Sequence, residues 1–249
     1  MLYNRSHWEH MDADTLAQFA EDIFDYYRAR GFPFYELTHD QQFDALNLMD
    51  RYCKATNTMA GDTIHQSMHC LNVAWTYFPH AWAVRCNKHM TTPMEAFEDD
   101  AKFRKVIQRR LARGGYISDS GMRKALRVSS GIQGVSNFRP TAARAIYDRY
   151  GGDGVVWGMS CGYGGRLLGA ISSPVVARYI GTDPDTKTYS GLMAMAQTIG
   201  HWNGDSLFDA KNTTAIEIHN VGSEVFQPDK ESLDLCFTSP PYFNTEQYS

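Results

Sequence analysis

The sequence predicts an α/β chain in which a mainly helical first part, residues 1–136, precedes a parallel-sheet domain, residues 137–249. Three observations predict it. From Val155 onward, short apolar runs alternate with segments of helical periodicity, the pattern of strand–helix–strand units with right-handed crossovers. The first of those runs feeds directly into a glycine-rich stretch, Cys161-Gly-Tyr-Gly-Gly-Arg-Leu-Leu168. The last, Leu233-Asp-Leu-Cys-Phe-Thr-Ser-Pro-Pro-Tyr242, is halted by Pro240-Pro241, because neither proline can donate to a β ladder.

Composition narrows the class. A chain of 249 residues with 43% hydrophobic content suits a soluble globular protein. No run approaches the roughly 18 apolar residues of a membrane span, and the start, Met1-Leu-Tyr-Asn-Arg-Ser-His7, lacks a basic-then-apolar signal. Five scattered cysteines without a C-x-x-C pair argue against a disulfide scaffold or a zinc ribbon. The expectation is a reduced, cytoplasmic protein with no membrane partner.

The net charge of −4 conceals an asymmetry. Residues 101–150 hold twelve lysines and arginines against Asp119 and Asp148, a net +10, while the first hundred residues are net −8 and the rest net −6. A solvated helix face usually mixes both signs. A nearly uniform basic block points to a polyanion, so Lys102, Arg104, Lys105, Arg109, Arg110, Arg123, Lys124 and Arg127 are candidate nucleic-acid contacts.

In chain order, Leu16, Phe19, Ala20, Ile23, Phe24 and Tyr27 fall on one face of a helix spanning about residues 12–30, closed by Gly31 and Pro33. A second helix starts at Thr38, whose hydroxyl can cap while Gln41 reaches back, and runs toward Cys53. Residues 61–90 are rich in His, Cys and aromatics. His65 and His69 stand four apart, a metal-ligand spacing on a helix, but no third acidic ligand recurs nearby, and a packed aromatic subdomain without metal is expected. Thr92-Pro-Met-Glu95 is a capping box with proline at the first helical position, opening a helix that continues to Leu111. A shorter helix covers about Gly121–Val128, and the Gly/Ser-rich stretch Ser129–Ser136 marks the domain boundary.

Beyond it, a turn and short helix to Tyr150 lead into the buried strand Val155–Ser160 and the glycine loop, with Ser160, Cys161, Gly162 and Gly164 as candidate cofactor contacts. Glycines between a strand and a helix let backbone approach a ligand and aim helix N-terminal amides at it. The next strand, Arg178–Thr182, ends in Asp183, 21 residues beyond Gly162, a position suited to gripping ribose hydroxyls. A helix over Pro184–Ile199 and a strand over Thr214–Val221 follow, and Ser223 and Glu224 are placed to meet the adenine end of a nucleoside cofactor. The fourth strand, with Leu233, Leu235, Cys236 and Phe237 buried, delivers Ser239, Pro240, Pro241 and Tyr242 to the carboxyl edge of the sheet, where open α/β sheets bind ligands. A hydroxyl and a proline carbonyl there suit the two hydrogens of a planar exocyclic amine, freeing its lone pair, and Tyr242 can stack on a flipped base.

Gly162-Tyr-Gly-Gly165, Asp183 and Ser239-Pro-Pro-Tyr242, in that order, resemble the cofactor loop, ribose acid and catalytic tetrapeptide of S-adenosylmethionine-dependent DNA amino-methyltransferases. The wording from Ser118 onward resembles phage-encoded members. The resemblance implies a Rossmann-like methyltransferase sheet, S-adenosyl-L-methionine as cofactor, DNA as partner and base flipping. It implies that Phe138 lies under the methionine part of the cofactor, and that N4 of cytosine is favoured slightly over N6 of adenine. Related Pro-Pro-Tyr loops serve enzymes acting on RNA or on protein glutamine, and a catalytically silent nucleic-acid-binding relative is a further alternative. Two departures stand out: Gly158 where the family usually has an acid, and an end at Ser249, seven residues past Tyr242, where the family's sheet continues. The sheet is therefore expected to be truncated after the fourth strand, with an exposed edge awaiting a missing C-terminal half or a companion chain.

Overall fold

The structure, a computed structural model, describes residues 2–204 and 213–239. In chain order its elements are α1 (Ala13–Arg30), α2 (His39–Ala55), the small hairpin β1 (Met59–Ala60) and β2 (Thr63–Ile64), α3 (Leu71–Tyr77), α4 (Pro93–Glu98), α5 (Asp100–Ala112) and α6 (Asp119–Val128), followed by α7 (Pro140–Tyr150), β3 (Val155–Gly158), α8 (Gly165–Ser172), β4 (Arg178–Thr182), α9 (Thr186–Ile199), β5 (Ala215–His219) and β6 (Leu235–Phe237). They form two compact units: residues up to Phe34 with His80–Val135, and Tyr35–Pro79 with the sheet-bearing part from Ser136.

The first unit is helical. Asp12 caps α1 by accepting from the Thr15 amide at 2.8 Å, and α1 buries Ala20, Ile23, Phe24 and Tyr27. These pack with Phe103, Val106, Ile107 and Leu111 of α5 and Met122, Ala125 and Leu126 of α6 into one apolar core. The single helix expected from Thr92 to Leu111 is two. The Thr92–Glu95 capping box forms with Pro93 in the first turn, but Asp99 then turns extended and caps α5 through the Lys102 amide. A side chain able to satisfy a fresh set of amides ends one helix and starts another.

The second unit carries a four-stranded, all-parallel sheet in the order β5-β4-β3-β6. Taken by sequence this is third-second-first-fourth, the order in which a doubly wound sheet reverses direction beside its first strand, and it is compatible with a Rossmann-like fold. Gly158 pairs with Gly181 on one side and Phe237 on the other, so the four carboxyl ends lie along one edge. Residues 35–79, counted with the helical first part from sequence, pack here instead: α2 and α3 lie against α8 and α9, and Asp50 of α2 pairs with Arg144 of α7 at 2.8 Å, both buried. The aromatic-rich stretch 61–90 is accordingly divided between the units rather than forming a subdomain. His69 stacks on Tyr52 and bonds Ser67 Oγ at 2.6 Å.

Strand β6 is shorter and wetter than its sequence suggests. It spans Leu235–Phe237 only, with Cys236 exposed and its neighbours half-buried, because it pairs on one side with β3 and borders no further strand among the described residues. No described helix is long and apolar enough to cross a membrane.

Candidate functional site

The loop after β3 is held by backbone before any side chain acts. The Cys161 amide donates to the Thr182 carbonyl at 3.1 Å, carrying the β3–β4 ladder past the strand end, and the Gly162 amide donates to Asp183 Oδ2 at 3.0 Å. Asp183 Oδ1 accepts from the Asp185 amide at 3.2 Å, and the Asp183 amide donates to the His219 carbonyl. Glycine loop and acid are thus joined directly at one sheet edge. Asp183 is only 8% exposed, and this burial raises its pKa above the ordinary 3.8 against the lowering effect of the two amides. The Cys161 thiol, buried beneath the loop with Sγ 3.5 Å from the Tyr179 hydroxyl, is pushed up to about 12, which rules it out as a thiolate nucleophile near neutral pH.

The loop's glycines differ in what they permit. A Cβ on Gly164 would run into Met195 and Phe78, and one on Gly165 would lie 1.9 Å from the Phe138 carbonyl oxygen, so both serve close packing. Among the described residues, Gly162, at φ +57°, has only Arg166 Nη2 within reach of such an atom, at 3.6 Å. Gly158 has a different explanation from flexibility. The Tyr179 hydroxyl, from the neighbouring strand, lies 2.2 Å from where its Cβ would be, so a phenol fills the volume of any side chain at the end of β3.

Ser239, two residues past β6, is exposed at the same edge and accepts a hydrogen bond from Arg166 Nη1 at 2.5 Å. Arg166 stands in the first turn of α8, directly after the glycines, yet is 3% exposed. Its guanidinium carbon lies 5.7 Å from the Phe138 ring centre, and Phe138 in turn packs edge-on against Phe237 at 5.4 Å. One arginine therefore touches the surroundings of Gly162, Phe138 and Ser239 together. Sequence inspection passes over it, since a lone cation in a first helical turn reads as solvent-facing.

The remaining candidates divide. Ser160 is half-buried in the loop, and Ser223 and Glu224 lie in the turn after β5, half-buried and exposed respectively. Pro240, Pro241 and Tyr242 lie outside the described residues. In the first unit the basic block is far less available than its charge implies. Arg123 is buried and donates to the Pro33 and Phe34 carbonyls, a structural role at odds with the contact expected of it. Arg104 donates to both Glu21 oxygens at 3.0 Å over the Phe24 ring, Lys102 pairs with Asp99, Arg127 bonds the Val135 carbonyl at 2.6 Å, and Arg110 bonds the Tyr116 carbonyl. Lys105, Arg109 and Lys124 are exposed and remain candidates.

No protein-family model matches the chain, and neither the curated proteins nor the solved structures yield a significant match.

Proposed function

We propose that the second unit binds S-adenosyl-L-methionine and transfers its methyl group to the exocyclic amine of a DNA base. One observation supports this above the others: a parallel sheet brings a glycine loop, an acid bonded to that loop and a serine after the fourth strand to a single carboxyl edge, the ligand edge of such sheets. The residues fit the cofactor. Gly162 offers backbone near which, among the described residues, only Arg166 stands, Asp183 keeps lone pairs on both oxygens beyond the two amides, and Phe138 adds a half-buried aromatic face.

When bound, the cofactor supplies an electrophilic methyl group on a sulfonium. The chain's residues then have positioning and polarising tasks. Asp183 takes the ribose hydroxyls. A serine oxygen has two acceptor sites and Arg166 occupies one, leaving the other for an amine hydrogen. The Pro240 carbonyl would take the second hydrogen and Tyr242 would stack on the base, roles drawn from the sequence. No covalent nucleophile is required: Cys161 is buried and protonated, and Cys236 lies on β6 rather than on the catalytic turn.

Calorimetric titration with S-adenosylmethionine is expected to give saturable heat. Ser239→Ala should keep that heat and lower methyl transfer about 100-fold or more, the scale of losing a polarising group in a preorganised site. Undiminished turnover in the variant would remove Ser239 from the chemistry, and a wild-type chain without heat would remove the cofactor.

A further inference from the structure

We propose that Arg166 is a carboxylate-binding residue, and that its ligand is the amino-acid carboxylate of the cofactor; the assignment rests on the function proposed above. The guanidinium has two faces for hydrogen bonding. Nη1 is engaged by Ser239. The other edge, Nε with Nη2, is the fork that takes a carboxylate through two parallel bonds, and among the described residues it has no hydrogen-bond partner. Among the described residues Nε is buried without an acceptor and Nη2 makes no hydrogen bond; the carboxylate of Asp183 is near enough to feel the charge of Arg166 but forms no ion pair with it.

A cation 3% exposed with its bidentate edge unused is costly unless an anion completes it, because burial strips its hydration. The position of the fork says which anion. Nη2 lies 3.6 Å from the Cβ position of Gly162, and the guanidinium is above Phe138. The hydroxyl of Tyr147, buried in α7, is a second polar group without a hydrogen-bond partner among the described residues. At the end of β3 the Tyr179 phenol fills the space where an acid would meet an ammonium. The amino-acid end of the ligand is therefore gripped by its negative group rather than its positive one.

The test compares S-adenosylmethionine with its decarboxylated analogue, each titrated calorimetrically into the wild-type chain, Arg166→Met and Arg166→Lys. A single charge-assisted bond is worth about 1.5–3 kcal/mol, or about 10- to 100-fold in affinity, and a bidentate pair at least that. The wild-type chain is expected to prefer the carboxylate-bearing ligand by that factor, Arg166→Met to lose the preference, and Arg166→Lys to retain part of it. Equal wild-type affinity for the two ligands overturns the role of Arg166 while leaving the cofactor site standing, and needs no variant to fold. An undiminished preference in Arg166→Met overturns it as well. Binding of neither ligand overturns the cofactor reading itself.

Discussion

Asp183 holds its proton more tightly in the folded chain than in the unfolded one, because burial outweighs the two amides that favour the anion. Its contribution to stability is full below the unfolded value of 3.8 and is lost as pH rises through the raised folded value. In Asp183→Asn that slope should vanish, so melting temperatures of wild type minus variant should fall as pH is raised from 3.8. A difference independent of pH would contradict the raised value. If Asp183 takes ribose hydroxyls as proposed, cofactor affinity should run the other way, weakening on acidification as its carboxylate becomes protonated. Gly158 and Tyr179 form a second residue-scale pair. Gly158→Ala should destabilise by about 1–3 kcal/mol through overpacking against the phenol. Tyr179→Phe should relieve part of that, giving a coupling of at least about 0.5 kcal/mol in a double-mutant cycle. At this scale the placement of Gly162, Asp183 and Ser239 at the carboxyl edge of the sheet was legible, since each sits at a fixed offset from a strand. Arg166 was not: whether an arginine is solvated or buried depends on what packs over it, here Phe138 and Ser239.

Helix starts followed capping chemistry, but a correctly read cap did not fix where its helix ends. Thr38–Gln41 and Thr92–Glu95 both form reciprocal boxes. The break comes at Asp99, whose carboxylate turns onto the amide of Lys102 and caps the next helix. Asp99→Ala should therefore cost about 1 kcal/mol, measured by denaturant unfolding. A parallel sheet could be expected from alternation alone, but its strand order and the membership of α2 could not, since alternation suits more than one order and an amphipathic helix does not name the surface it covers. The buried Asp50–Arg144 pair records that choice. Arg144→Met alone should destabilise by less than the about 3–5 kcal/mol of a fully stranded carboxylate, since Lys54 Nζ also lies 3.0 Å from Asp50 Oδ2, and the double variant Asp50→Leu/Arg144→Met should recover most of the loss. A double variant as unstable as the single would show that the pair is not what ties α2 to the sheet unit.

For the molecule as a whole, composition overstated what the basic block offers. Sequence charge counts every arginine equally, while folding assigns Arg104 to Glu21, Arg123 to two carbonyls and Arg127 to a third. If the exposed Lys105, Arg109 and Lys124 contact DNA phosphates, their joint replacement by alanine should weaken binding at unchanged melting temperature. It should also lower the log–log salt slope by about 0.9 per contact removed. Arg123→Met should instead lower the melting temperature. The central claim, methyl transfer from a sulfonium to a base amine at the carboxyl edge of the β5-β4-β3-β6 sheet, is tested most directly by product analysis. The chain is incubated with methyl-labelled S-adenosylmethionine and unmodified DNA, and the DNA is digested to nucleosides for mass measurement. Label on the exocyclic nitrogen of cytosine or adenine is the predicted result; label absent from DNA while the cofactor is demonstrably bound would contradict it.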